Sequence, residues 1–340
     1  MLNNKNSIGW LSVSGTPFEI GYKMGEQGRA AVHTHLIQSK IWKEITARNH
    51  SNTVAFLMEN TKACFPDFYE ELLGLADGLQ VPFEDVFAWN CRGDILSSVP
   101  DGCTTLQTPG ETNKISHNED GLPFFRGHCF ILEAMPNLSI GFRAFCYPGS
   151  LAGHTFGWND AGLVQAVNNL RLQNVDVMIP RMVLARAVLS AEFLQDAVNI
   201  LSSDPRCGGF HMTLAQAGKT ELVSIEYGGG TSSLASIKSR SGHANHALRM
   251  AANGQIITKS SSDRQTSVQR LATEAQQTDL DILRDTSGPG LPIRRDASND
   301  PDQENTLATC LFTVSKTAVD WRIYCEKDGG AVYQGKCEIA

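Results

Sequence analysis

Apolar positions recur at helical spacing through the first hundred residues and then gather into short runs cut by Gly, Asn and Pro. In the first stretch Phe68, Leu72, Leu75 and Leu79 share one face of a helix predicted over Pro66 to Leu79. Thr16-Pro17-Phe18-Glu19 has the order of a helix start, with Thr as N-cap, Pro at the first helical position and Glu placed to reach back to the cap. The spacing carries that helix through Gly21 and Gly25 toward Ile45, glycine being tolerated at some cost. Val86, Phe87 and Trp89 predict a short third helix.

After Cys103 the chain reads as strands as far as Leu170, punctuated by turns at Tyr147-Pro148-Gly149 and Asn159-Asp160-Ala161-Gly162. Met182, Ala185, Val188, Leu189 and Ala197 predict a helix from Pro180 to Leu201, and strands return at Phe210 to Ala217 and Glu221 to Tyr227. Arg264 to Leu283 reads as a polar amphipathic helix, and Asp285 to Asn305, rich in Pro, Gly, Ser and Asp, as a long surface loop. Strands at 306–314, 319–325 and 331–337 close the chain. Helices, strands, helices, strands fit an α+β or layered α/β class.

With 340 residues, 41% of them hydrophobic, the chain can bury a sizeable core as one compact unit, and it contains no internal repeat. A net charge of −7 without a basic patch argues against nucleic acid as a partner. Met1 to Asn6 lack the apolar stretch of a secretory signal, and no later run approaches the roughly 20 apolar residues that span a bilayer. A cytoplasmic protein without a membrane partner is therefore expected. The nine cysteines form no Cys-x-x-Cys pair, and their odd number leaves a thiol unpaired in any scheme. Neither a structural zinc nor an organic cofactor is expected.

One cysteine changes the picture. In Asp101-Gly102-Cys103-Thr104-Thr105, cutting before Cys103 would put a thiol and a free α-amine on one residue. An α-amine has an ordinary pKa of roughly 7.7–8.0, close enough to neutrality to accept the thiol proton. Such a residue carries its own general base. The pentapeptide alone fits equally well a plain turn, Pro100-Asp101-Gly102, leading into a strand.

The rest of the chain resembles the penicillin acyltransferase-like family of N-terminal-nucleophile amide hydrolases. The resemblance is carried by the run from Gly15 to Tyr22, by Tyr69-Glu70-Glu71 through Gly74-Leu75-Ala76, by Asn90-Cys91-Arg92 and by Asp101 to Thr105. It implies a four-layer α-β-β-α sandwich and self-cleavage between Gly102 and Cys103. That cut would give a mostly helical light chain, 1–102, and a catalytic heavy chain, 103–340. His117-Asn118-Glu119-Asp120, Phe145 to Gly149 and Asn159 to Leu163 look closest to a subgroup containing carcinine hydrolase and the insect hydrolase of β-alanyl-dopamine.

By this resemblance Cys103 is the nucleophile, Asp120 contacts it and steadies its new amine, and Asn245 donates to the oxyanion. Arg92, Asn168 and Glu119 are supporting candidates. Asn168 is not separable from its neighbour Asn169, and Glu119 or Asp160 is a candidate to receive a substrate ammonium. His243 and His246 are read as structural, because an N-terminal amine makes a histidine base unnecessary. The family's penicillin acyltransferase carries a Ser-Arg pair near its active site, where Thr306-Leu307-Ala308-Thr309 stands here, so an anchor for a substrate carboxylate is lost.

The reading is a self-processing amide hydrolase for a small N-acyl or aminoacyl amine, with a β-alanyl amide such as carcinine leading. An acyl-CoA-dependent N-acyltransferase is the runner-up, and an uncut, non-catalytic binding protein is the third. The expected partners are a small amide substrate, the chain's own two halves and at most further copies of itself.

Overall fold

The computed structural model describes residues 7–173, 175, 178–203, 208–251 and 254–339. The capping signal at Thr16 is used. Its hydroxyl accepts from the Glu19 N–H, and the Glu19 carboxylate accepts from the Thr16 N–H at 2.8 Å. The first hundred residues hold β1 (Gly9–Gly15), α1 (Pro17–Ala31), α2 (Lys40–Ile45), α3 (Ser51–Cys64), α4 (Pro66–Leu79), α5 (Phe83–Asn90) and α6 (Arg92–Ile95). The helix predicted to reach Ile45 stops at Ala31, passes through one wide turn, Val32–Leu36, and restarts where the Ser39 hydroxyl caps α2. Strand β1 and helix α3 were not predicted.

Gly21, which read as a cost within its helix, and Gly74 let α1 and α4 touch along their backbones. A Cβ on Gly21 would stand 1.9 Å from the Glu71 carbonyl oxygen, and one on Gly74 would stand 2.0 Å from that of Phe18.

Beyond residue 101 come β2 (Gly102–Thr108), β3 (Asn113–Gly121), β4 (Phe130–Pro136), β5 (Phe142–Cys146), β6 (Phe156–Asn159) and β7 (Leu163–Leu170). They are followed by α7 (Arg181–Leu189), α8 (Leu194–Ser202), β8 (Gly209–Gln216), β9 (Leu222–Gly228), β10 (Thr231–Ser236) and β11 (Ser241–His243). Last come α9 (Lys259–Ala272), α10 (Asp279–Leu283), β12 (Asn305–Val314), β13 (Ala318–Tyr324) and β14 (Tyr333–Glu338). The helix predicted over 180–201 is two helices separated at Ser190 to Phe193, and that over 264–283 is broken before Thr278, which starts α10 with its own capping box.

The strands form two sheets. One has the order β1-β4-β5-β6-β7-β8-β9-β10, and the other β11-β2-β3-β12-β13-β14. Strands β2 and β3 pack face to face against β7 and β8, α9 and α10 cover the outside of the second sheet, and α1, α7 and α8 cover the first. These are four layers, α-β-β-α, as the resemblance implied. The segment between α10 and β12, expected at the surface, is partly interior: Ile293, Arg294, Arg295 and Glu304 are all buried. Its buried arginines are paired: Arg295 with Asp300 and Glu304, and Arg294 with Asp296.

Candidate active site

The two-residue period of a strand decides what surrounds Cys103. Thr105 reaches Asn168 on β7 and Gln107 reaches Thr213 on β8, so the odd positions of β2 face the space between the sheets. Cys103 shares that face and is 3% exposed. On β3, Glu119 lies opposite Cys103 and His117 opposite Thr105. The even positions face the α9 layer, where Arg264 donates to the Thr104 hydroxyl and Leu106 packs with Val268 and Leu271.

The bond before Cys103 is held from several sides. Its N–H donates to Asn245 Oδ1 at 2.9 Å, and Arg264 Nη2 donates to the same oxygen at 2.7 Å. Arg264 also donates to the Cys103 carbonyl. Upstream, the Asp101 carbonyl accepts from Asn169 Nδ2 and Arg171 Nη2, and the Val99 carbonyl accepts from the same Arg171 nitrogen. The Asp101 carboxylate pairs with Arg92 at 3.1 Å, both buried. Glu304 lies against Gly102 and is bracketed by Arg171 and Arg295. Asp120, opposite Gly102, accepts from the Thr306 hydroxyl on Oδ1. Its buried Oδ2 has no partner among the described residues.

Protons in the inter-sheet space can be placed by elimination. Asn168 Nδ2 donates to the His243 carbonyl, so Asn168 Oδ1 is the atom that accepts from the Thr105 hydroxyl at 2.7 Å. With its proton spent there, that hydroxyl accepts from His117 Nδ1–H at 2.8 Å. His117 is neutral, burial having lowered its pKa to about 3, so Nε2 carries a lone pair. That lone pair faces Glu119 Oε2 at 3.0 Å, which requires the carboxyl to be the donor. Burial raises Glu119 well above the ordinary carboxylate range, in agreement with a protonated acid. The Cys103 thiol lies 3.4 Å from the same Glu119 oxygen, and Tyr147 donates to the other. Burial first, and then neighbouring carboxyls, raise the Cys103 thiol well above its ordinary value. Asp120 is raised too, by burial acting against Arg264 and Arg295.

The structure thus gathers Gly102, Cys103, Asp120, Asn245, Arg92 and Glu119 around one bond. Arg92 pairs with Asp101, while Asp94 accepts from the backbone N–H groups of Arg181 and Gly208. Asn168 and Asn169 are now separable: Asn169 touches the linker, while Asn168 orders the Thr105–His117 chain. Asn245 presents its oxygen to the Cys103 N–H and commits its amide protons to the Asn169 carbonyl. It therefore orients the Cys103 nitrogen. His243 bonds Glu226 and His246 bonds Ser261, away from the thiol. Asp160 pairs with Arg143 and is part-exposed.

Sequence reading missed Arg264, Arg171, Glu304, Tyr147 and His117. Only His117 carried a local signal, standing two positions before Glu119 and hence on the same strand face.

Cys103 is thus a buried thiol facing the space between two stacked, helix-covered sheets, with the amide before it held by an arginine–asparagine pair. The family model for acyl-coenzyme A:6-aminopenicillanic acid acyl-transferase matches residues 107–327, well over half of the chain, and the chain belongs to that family. It is 25% identical over 227 residues to the beta-alanyl-dopamine/carcinine hydrolase of Drosophila melanogaster, a match covering 59% of this chain and 59% of that relative's length. The solved N-acylethanolamine-hydrolyzing acid amidase ortholog of Caenorhabditis elegans superimposes with a TM-score of 0.44 at 12% identity, over 62% of this chain and 92% of that one.

Proposed function

We propose that this chain is a self-processing cysteine amide hydrolase acting on the linear amide of a small N-acyl or aminoacyl amine. The observation that carries the reading is the setting of the Gly102–Cys103 bond. The bond is buried, its nitrogen faces Asn245, and the unpartnered oxygen of Asp120 lies across the strand pair from Gly102. An ammonium formed at Cys103 would offer that oxygen the hydrogen-bond donor it lacks among the described residues.

In self-cleavage the Cys103 sulfur bonds to the Gly102 carbonyl carbon, the carbon–nitrogen bond breaks, and the thiol proton ends on the departing nitrogen. Water then opens the resulting thioester, leaving a Gly102 carboxylate and a free Cys103 bearing thiol and α-amine. In turnover the α-amine takes the thiol proton, the sulfur attacks the substrate carbonyl, and the protonated amine leaves. Water resolves the second thioester. Arg264 and Asn245 hold the Cys103 main chain throughout. No step draws on a metal or an organic cofactor.

The relative that hydrolyses beta-alanyl-dopamine and carcinine supports a β-alanyl amide as first substrate to try. The matching family's own description favours a second reading, acyl transfer from acyl-CoA to an amine. Thr306 and Thr309, which stand where a carboxylate-binding arginine was sought, are both spent on internal hydrogen bonds to Asp120 and Asn118.

Intact mass under denaturing conditions tests the reading. Wild-type protein should give two fragments, ending at Gly102 and beginning at Cys103, and Cys103→Ala one uncut chain. A wild type that stays whole under all maturation conditions defeats the proposal and favours the binding-protein alternative. Release of free acid from carcinine, against new amide formed from acyl-CoA and amine, separates hydrolase from transferase.

A further inference from the structure

The three groups nearest the candidate nucleophile make a donor set that the hydrolase chemistry does not use. Cys103 Sγ, His117 Nε2 and Glu119 Oε2 all lie within 4.8 Å of one another, with 3.4 Å from sulfur to carboxyl oxygen and 3.0 Å from nitrogen to that oxygen. A tetrahedral ion bonded at about 2.0–2.3 Å keeps its ligands roughly 3.3–3.7 Å apart, so small movements would seat one. We propose that these three atoms bind one zinc ion, and that zinc there caps the Cys103 sulfur and reversibly silences it.

Two of the three ligands are already oriented from outside the cluster. The bare Nε2 of His117 points inward because its Nδ1–H is fixed on the Thr105 hydroxyl, which is fixed in turn on Asn168. An outer partner of this kind sets the tautomer and ring angle of a zinc-bound histidine. The Tyr147 hydroxyl holds the other oxygen of Glu119. Thiolate, imidazole and carboxylate together suit a borderline-soft ion, whereas calcium and magnesium require oxygen ligands throughout.

Charge balance permits the exchange in a dry interior. The thiol and the carboxylic acid each lose a proton as the ion enters, so two positive charges leave and two arrive. The cluster stays neutral overall, and no unpaired charge is left buried. Three protein ligands leave a fourth position for water. While the sulfur is bound to zinc it donates one lone pair to the metal and is held on it, which lowers its nucleophilicity, so both self-cleavage and turnover are suppressed until the metal is removed. Metal binding itself does not depend on the hydrolase reading; only its effect on turnover does.

Hydrogen bonds alone produce similar spacings, and variants separate the two cases. Chelator-stripped wild type, Cys103→Ala and His117→Gln are each equilibrated with Zn²⁺ and assayed for bound metal. They are then equilibrated with Co²⁺ and scanned for the near-ultraviolet band of a thiolate bound to cobalt. The expected result is one ion per wild-type chain with that band, and loss of both in each variant. Uptake by Cys103→Ala equal to wild type, uptake without the thiolate band, or no uptake from excess zinc overturns the site. Thermal melting checks that each variant is folded; should His117→Gln fail to fold, the wild-type band and the Cys103→Ala comparison decide. Intact mass on the same samples reports cutting separately, so an uncut wild type that binds zinc defeats the hydrolase reading and spares the metal site.

Discussion

Position 102 has no room for a side chain: a Cβ there would meet Glu304 Oε2 at 2.3 Å and Asp120 Cβ at 3.2 Å. Gly102→Ala must therefore displace the Glu304 carboxylate or the bond proposed for cutting, and a displacement of about 1 Å at a reacting centre costs on the order of 10²-fold in rate. A time course of intact mass should show that slowing, and adding Glu304→Ala to the same chain should recover part of it by removing the clash. Arg264→Lys loses the fork that grips the Cys103 carbonyl, Thr104 and Asn245 together, and should slow cutting on a similar scale with the fold intact. Glu304 also gives the fold a pH dependence. Burial raises its carboxyl from 4.5 to about 7 against the pull of Arg171 and Arg295. Between those values the unfolded chain has released a proton that the folded chain keeps, so stability falls as pH rises. Urea midpoints at about pH 5 and about pH 8 should show wild type losing ground to Glu304→Gln across that interval. Cys103, Gly102 and Asp120 were readable because one short motif, or one strand beside it, contains them. Arg264 and Glu304 reach the same bond from a helix and a loop more than 150 positions away, and no local period marks a residue whose partners are that distant.

Where helices touch, spacing told only half the story. The apolar face of α4 was plain in Phe68, Leu72, Leu75 and Leu79, but the close approach of α1 depends on what is missing at Gly21 and Gly74. Alanine usually favours a helix over glycine by roughly 0.5–1 kcal/mol. Here Gly74→Ala should instead destabilise, by about 1–3 kcal/mol, because its methyl must push two backbones apart. A lower melting temperature for Gly74→Ala, beside an unchanged one for an Ala substitution at exposed Gly330, checks this. Period also runs across breaks: apolar residues continue from α7 into α8, and no side-chain cap stands at the start of α8 to mark the break. Strand β1 escaped notice for the opposite reason. Its residues alternate between part-buried and exposed, and its partner β4 lies more than a hundred residues downstream.

Across the whole molecule the proposed cut would divide the chain without dividing the fold. Strand β1, on the N-terminal side of the proposed cut, pairs in parallel with β4 over seven residues, and Trp10 stacks on Trp321 and meets Tyr333 edge to face near the other end of the chain. Cut protein should therefore elute from gel filtration as one body containing both fragments and come apart only in denaturant; early separation of the fragments would contradict this arrangement. The order of helices and strands gave an α+β or layered α/β class and the family resemblance gave the four layers, but neither gave this interleaving, since nothing in residues 9–15 names a partner. The parallel pairing also gives the molecule a history. An intact chain brings β1 to β4 through its own tether, at an entropic cost that grows only with the logarithm of loop length. Two severed halves must find each other in solution, at whatever concentration they happen to have. The uncut chain is then the species that folds, and the cut one persists by the height of its unfolding barrier, so that once it is lost it is not remade.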